Sequence, residues 1–271
     1  MTFLWLAILA HVIADFVVQT DNVAKSKRQL EWQGFLKHGL VIFLSTFIVI
    51  HFYGIITAFK FSFLTALLHI AFDYLKELLL NKSEKGWLPV ISLLIDQVFH
   101  IYIIVLLGSK FTVNLDSNII NFYSILLPTV PIAFPVKEQL QNLFQLDKCI
   151  FTTIMYIYTT FGGAVLIRMV LDYVIPKNTY ASAGGEFIIV NPANQTGRYI
   201  GILERAIILT LVLYGSLPAV AFVLTAKSIA RFNELNNKDF AEYYLIGTLG
   251  SASIAVVGGL VLQSIIPIFR I

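Results

Sequence analysis

The chain has 271 residues, 58% of them apolar and 13% charged, with a mean hydropathy of +0.80; a soluble domain carries about 25% charged and roughly 45–50% apolar residues. The apolar surplus exceeds what a larger core absorbs, because a chain of this size keeps a wide surface that water must wet. A polytopic helical membrane protein fits this composition. A disulfide scaffold, a disordered chain and a nucleic-acid binder do not: the formal charge is only +3, no dense Lys/Arg patch stands out, and the single cysteine, Cys149, has no internal partner.

A spanning helix needs about 20 predominantly apolar residues. Seven segments qualify: residues 2–20, 35–56, 58–80, 87–108, 151–175, 198–214 and 240–267. The first has no basic leader and no small-residue cleavage site, so it reads as a retained helix rather than a secretory signal. A shorter apolar helix over residues 217–231 follows the Gly215-Ser216-Leu217-Pro218 break and is taken as an eighth crossing. The apolar stretch 119–134 is interrupted by Pro128 and Pro131 and followed by Pro135, which suits an interfacial or re-entrant piece. Residues 176–197, with Gly184-Gly185 and Asn191-Pro192, read as a turn-rich loop with a small hairpin near 186–190. The expected fold is therefore all-α, a transmembrane bundle of seven to eight spans with one proline-broken interfacial segment. A four-helix N-terminal part (1–108) is followed by a connector (109–148) and a C-terminal membrane part (149–271).

With these crossings, twelve of the nineteen basic residues fall on one side of the membrane and five on the other, leaving Arg168 and Arg205 inside spans. The positive-inside rule makes the richer side cytoplasmic and places both termini outside the cytoplasm. A crossing by residues 119–134 would move every later loop to the other side and largely erase the bias.

An ionisable side chain in hydrocarbon costs commonly about 2.5–3.5 kcal/mol even on the lenient insertion scale, so each one needs a partner or a purpose. Three helices carry such residues four apart: His11 and Asp15, with Gln19 four further on; His69 and Asp73; Asp96 and His100. That spacing puts both members of a pair on one helix face. At about 1.5 Å per residue from the cytoplasmic ends, the three pairs lie between roughly 8 and 20 Å deep. A lone pair of this kind is most simply a tautomer-fixing hydrogen bond or an interhelical tie. Three pairs at overlapping depth offer six ligands for zinc, manganese or iron, enough for two ions, with a proton or cation relay as the other use of the same residues. His38, beside Lys37 at the cytoplasmic start of its helix, is an extra ligand or acid, and Lys76 lies one turn beyond Asp73.

The later helices add a second set. Glu204 and Arg205 are adjacent and so face different partners. Lys227 and Arg231, four apart, repel unless they snorkel or an anion lies between them. Glu242 is the internal candidate for that anion, and a substrate phosphate or carboxylate the external one. Arg198, Arg205, Lys227 and Arg231 are thus the candidate anion-binding residues. Arg168 and Asp172, also four apart, suit a structural ion pair.

The run His11-Val12-Ile13-Ala14-Asp15-Phe16-Val17-Val18-Gln19, with Lys37-His38-Gly39-Leu40, His69-xxx-Asp73-xx-Lys76 and Asp96-Gln97-xx-His100, resembles the uncharacterised bacterial membrane family known as domain of unknown function 3307. Gly197-Arg198-xx-Gly201-xx-Glu204-Arg205, Ala226-Lys227-Ser228-xx-Arg231-Phe232 and Glu242-Tyr243-xx-Ile246-Gly247-Thr248-Leu249 look like the C-terminal part of its longer members. The resemblance implies a multi-pass protein of the bacterial cytoplasmic membrane and carries no established activity.

Three function classes follow. The first is a membrane-embedded metal-dependent hydrolase with a zinc, manganese or iron ion, taking a lipid or other anionic amphiphile from the cytoplasmic side. Whichever of Asp15, Asp73 and Asp96 is not a ligand would be its general base. The second is a proton- or cation-coupled transporter using the same His/Asp pairs, with the 215–218 break as a discontinuous helix, although no internal repeat supports it. The third is a scaffold whose buried charges serve helix assembly alone. No nucleotide-binding glycine loop, serine-hydrolase elbow or zincin helix occurs in the spans.

Overall fold

In this computed structural model, which describes residues 1–80, 87–126, 140–174 and 195–266, every regular element is helical. The chain divides into two compact units, Met1–Ile154 and Met155–Ile271.

In the first unit α1 (Thr2–Val12) runs into a π-helical turn (Ile13–Val18), which closes where the Gln19 N–H reaches back five residues to the Ala14 carbonyl at 3.1 Å. Thr20 Oγ1 then accepts from the Val23 N–H and opens α2 (Asp21–Arg28), which is bent by 93° from the helix before it. Leu30, in the left-handed region at φ 58°, turns the chain into α3 (Trp32–Ile50). A 3₁₀ turn (His51–Tyr53) and Gly54, whose φ of 97° suits a residue without a Cβ, lead into the antiparallel α4 (Ile55–Leu80). The helix α5 (Leu88–Gly108) begins with proline in its first turn, where the missing N–H has no intrahelical partner to lose. After it, α6 (Ser117–Leu126) is capped by Asp116 Oδ1, which accepts from the Asn118 N–H at 2.9 Å, and α7 (Leu140–Ile157) follows.

The distribution of side chains is the reverse of a soluble bundle. Along α3 the ridge Leu36, Leu40, Leu44 and Ile48 is exposed while His38 is buried; along α5 Ile91, Ile95, Val98 and Tyr102 are exposed while Asp96 and His100 are buried. Soluble proteins rarely leave contiguous apolar surface of this kind uncovered, whereas lipid tails match it. Helices approach closely where side chains are absent. A Cβ on Gly39 would lie 2.1 Å from Ile70 Cδ1, so α3 and α4 meet beside His38 and His69. A Cβ on Gly34 would lie 2.8 Å from the Lys27 backbone nitrogen, so α2 lies directly on α3.

The second unit begins with a π-helical turn (Tyr158–Gly162), followed by α8 (Gly163–Val174), α9 (Gln195–Leu213), α10 (Leu217–Ala230) and α11 (Lys238–Ile265). Ile208, Val212, Val220, Ala252 and Ala255 form its apolar core. Asn237 caps α11 by accepting from the Phe240 N–H at 3.0 Å.

Among the described residues, five helical stretches are long and apolar enough to cross a membrane: Trp32–Tyr53, Ile55–Leu80, Leu88–Gly108, Leu146–Val174 and Lys238–Ile265. The bent pair Thr2–Val18 and Asp21–Arg28 adds a sixth if it counts as one span. The predicted boundaries of these elements agree to within a few residues. The shorter α9 has the length of a span but carries Arg198, Glu204 and Arg205. The eighth predicted crossing corresponds to α10, a shorter apolar helix of 14 residues, about 21 Å long against the roughly 30 Å of a hydrocarbon core. The apolar stretch 119–134 enters the described residues only through α6, and the predicted hairpin at 186–190 lies outside them.

Gly34→Ala tests the seating of α2. The new methyl meets backbone rather than a flexible tip, so an overpacking cost of about 1–3 kcal/mol is expected, read as a lower thermal midpoint of the detergent-solubilised protein. An unchanged midpoint would show that α2 is not held against α3.

Candidate functional site

The first unit gathers four histidines, three aspartates and two lysines near one end of its bundle. They arrive there because α1 and α4 run toward that end while α3 and α5 run away from it. His11 thus comes from the last turn of α1, Asp15 from the π-helical turn that continues it, and His38 from the second turn of α3. His69, Asp73 and Lys76 are in the second half of α4, Asp96 is in the first half of α5 and His100 just past its middle. The π-helical turn at Ile13–Val18 carries Asp15, an irregularity that often marks functional positions in helices.

His38 Nε2 and His69 Nε2 face one another at 3.0 Å, and Asp15 Oδ1 lies 3.2 Å from the first and 3.6 Å from the second. Asp73 Oδ2 lies 3.8 and 3.6 Å from the same two nitrogens. Ligand atoms about 2.0–2.1 Å from one ion are about 2.8–3.4 Å apart in octahedral or tetrahedral geometry; two of the three edges among His38, His69 and Asp15 fall within that range and the third, at 3.6 Å, lies just above it. Three sets have all their ligand atoms within 4.8 Å of one another: His11, Asp15 and His69; His38, His69 and Asp73; Asp15, Asp96 and His100. All six predicted metal ligands are therefore brought together. His38, predicted as an extra, lies at the centre.

The lysines divide the carboxylates unequally. Lys27 Nζ donates to Asp73 Oδ2 at 2.6 Å, and Lys76 Nζ lies 3.2 Å from Asp73 Oδ1 and 3.0 Å from Asp96 Oδ1. Among the described residues, Asp15 has no ammonium in contact. Its surroundings are His38, His69, His11 Nε2 at 3.7 Å from Oδ2, and the Gln97 amide, which donates to Oδ2 at 3.0 Å. The rings of His69 and His100 stack with centroids 3.8 Å apart, and both ring nitrogens of His11 and of His100 lack hydrogen-bond partners in buried surroundings. Buried polar atoms are nearly always hydrogen-bonded, so these four nitrogens mark a place where something polar belongs.

Two participants escaped the reading of the sequence. Lys27 counted only as a cytoplasmic loop charge, because nothing in its spacing announces that α2 folds back and buries it. Gln97 stood inside a quoted motif without a role; counting every polar residue in a span, rather than only the ionisable ones, would have found it. Gln19 ends the π-helical turn and has no described contact with the cluster. His51 lies at the other end of α3, with Nε2 3.0 Å from the Tyr123 hydroxyl.

Three of the four predicted anion-binding residues, Arg205, Lys227 and Arg231, have protein partners. Buried Arg205 donates through Nε and Nη2 to the Thr160 carbonyl, at 2.9 and 2.7 Å, and through Nη1 to Ser251 Oγ at 2.7 Å. Thr160 lies in the second π-helical turn, so Arg205 supplies donors where the helical ladder is irregular. Lys227 pairs with Glu204, and Arg231 with Glu234 at 3.0 Å. Glu242, expected between Lys227 and Arg231, is instead exposed and lies 3.9 Å from Lys238. The expectation failed because helix spacing shows which residues share a face and not which helix lies opposite.

Fold and site together define a helical bundle sheathed in apolar side chains, with histidines, carboxylates and lysines turned inward at one end. Residues 3–127, a little under half of the chain, match the family described as a protein of unknown function (DUF3307), and every residue of the cluster lies within that match. The N-terminal motifs and the family comparison therefore agree, while the stretches at 197–205, 226–232 and 242–249 lie beyond the matched residues. No curated protein and no solved structure matches the chain.

Asp73 is the carboxylate on which both lysines converge. Asp73→Ala leaves two ammoniums facing each other with one carboxylate fewer, and breaking a buried pair costs about 3–5 kcal/mol. Lys27→Met leaves Asp73 with Lys76 and should cost clearly less, a ranking that thermal melts in detergent will read. Equal losses would mean that the ion-pair chain is not what holds this end of the bundle.

Proposed function

We propose that the chain is an integral membrane protein whose N-terminal bundle binds a divalent metal ion near its cytoplasmic end. With that ion it hydrolyses an anionic amphiphile reached from the same side. The observation that carries this is the convergence of His38 Nε2, His69 Nε2 and Asp15 Oδ1, from three helices, at 3.0–3.6 Å. Two imidazoles and a carboxylate are the set of protein ligands that would hold such an ion, as in hydrolytic metal sites. The ion's contribution is to acidify a bound water toward neutral pH.

The chain's own residues supply the rest. Asp73, 3.6–3.8 Å from the two imidazoles, would be the carboxylate that accepts a proton beside them, and Lys27 and Lys76 hold it in place. Lys76, with the more exposed side chain of the two lysines, is the cation nearest to an entering anionic group. Arg205, Lys227 and Arg231 have other partners and do not enter this assignment. Orientation follows from the basic residues: Lys25, Lys27, Arg28, Lys37 and Lys76 belong to the cluster's end of the first unit, against Lys60 and Lys110 at the other end. Lipid is the first partner, and zinc, manganese or iron the candidate ion.

A transporter is the second reading, favoured by one observation. Lys27, Asp73, Lys76 and Asp96 alternate ammonium and carboxylate at 2.6, 3.2 and 3.0 Å, the kind of chain that passes protons in pumps.

Metal analysis separates the two. Protein purified in detergent should contain at least one transition-metal ion per chain, and His38→Ala and His69→Ala should each lose most of the ion in the His38, His69 and Asp15 set. Chelation should lower the thermal midpoint, since a ligand at about 100 times its Kd stabilises the folded state by about 2.7 kcal/mol. A metal-free protein whose proteoliposomes show proton flux abolished by Asp73→Asn would replace the hydrolase with the transporter.

A further inference from the structure

The two oxygens of Asp15 face different donor sets. Oδ1 belongs to His38 and His69. Oδ2 is turned toward His11, Gln97 and α5, where Asp96 and His100 lie with Asp15 inside one group whose ligand atoms are all within 4.8 Å. Between the Asp15 and Asp96 carboxylates stands a neutral donor, the Gln97 amide, 3.0 Å from Asp15 Oδ2 and 3.3 Å from Asp96 Oδ2. Lys76 compensates Asp96 through Oδ1 and leaves Oδ2 directed into the group, 3.6 Å from His100 Nδ1.

Beside these carboxylates are two imidazoles, 0% and 2% exposed, none of whose four ring nitrogens has a hydrogen-bond partner. Their centroids are 5.3 Å apart. Two carboxylate oxygens in one group, with His11 Nε2 and His100 Nδ1 facing them at 3.7 and 3.6 Å and the other two imidazole nitrogens without a hydrogen-bond partner among the described residues, form a donor set that suits a cation. Water alone would meet mainly acceptors there.

We infer that the bundle holds a second divalent ion, bound by Asp15 Oδ2, Asp96 Oδ2 and His100 with His11 beside them, and that Asp15 is the carboxylate bridge between the two ions. The inference rests on the metal centre proposed above and specifies its nuclearity. Gln97 would release the two carboxylates to the ion, and turning its amide would offer the ion a carbonyl oxygen. Carboxylate-bridged ions of hydrolytic sites stand about 3.5–4 Å apart. Charge also selects the ligand of the pair. Three carboxylates and two ammoniums leave one negative charge, which two divalent ions overcompensate. The loaded pair therefore takes an anion, of which inorganic phosphate is the simplest probe.

The test is metal stoichiometry of the full chain in lipid nanodiscs, dialysed against manganese with and without inorganic phosphate, with circular dichroism to confirm that each variant is folded. Wild type should hold two ions per chain in the presence of phosphate and show a spin-coupled manganese spectrum. His100→Ala and the isosteric Asp96→Asn should each retain about one ion and lose the coupling. His38→Ala should likewise retain about one, and Asp15→Asn should fall below one. A single ion in wild type, lost in His38→Ala and unaffected by Asp96→Asn, overturns the second site and leaves the first standing. Absence of bound ion under every condition overturns both.

Discussion

Three carboxylates sit at one end of a bundle whose outer faces are apolar, and the need to neutralise them shapes what surrounds them. A buried carboxylate without a partner is tolerated poorly in a low-dielectric interior, and attraction between buried charges repays desolvation only when the geometry is good. Asp73 answers with two lysines and Asp96 with one. Asp15 answers with imidazoles and an amide, and so is the member whose charge is least compensated by the protein. The proposed chemistry is concentrated around that residue.

The backbone is adapted to the same end. The π-helical turn carries Asp15, and the sharp bend after it brings α2 back so that Lys27 reaches Asp73 from a helix that lies outside the long spans. Gly34 and Gly39 remove the side chains that would keep α2 from α3 and α3 from α4. The second unit repeats the principle in another form. Its π-helical turn offers the Thr160 carbonyl, and Arg205 spends its donors there and on Ser251, so a cation that looks available in the sequence is structural. In both units a local departure from α-helical geometry coincides with a buried polar group, as such irregularities often do at functional positions.

Much of this was legible beforehand. Apolar runs placed the long helices, since any segment that spans a bilayer must satisfy its backbone internally and show lipid an apolar face. The spacing of four at His11 and Asp15, His69 and Asp73, and Asp96 and His100 identified residues that share a face, and common depth brought them to one level. Lys27 was not legible, because its burial depends on a bend of 93° in a short polar helix. The partners of Lys227 and Arg231 were misjudged for a related reason: Glu204 and Glu234, not Glu242, answer them. The length of α10 was legible as well: the apolar run that starts after the Gly215–Pro218 break stops at Arg231, one residue past the end of the helix.

The sequence by itself determined the class of molecule, the places where helices run and the set of residues that lipid would reject, because these depend on composition and on the 3.6-residue period alone. Tertiary structure decided which of those residues meet. It put His38 between Asp15 and His69, gave Asp73 to the lysines, and turned the two oxygens of Asp15 toward different donor sets. Such pairings are set by the rotation of each helix about its axis and by a close approach of a few ångströms, and neither quantity is encoded in spacing along one chain.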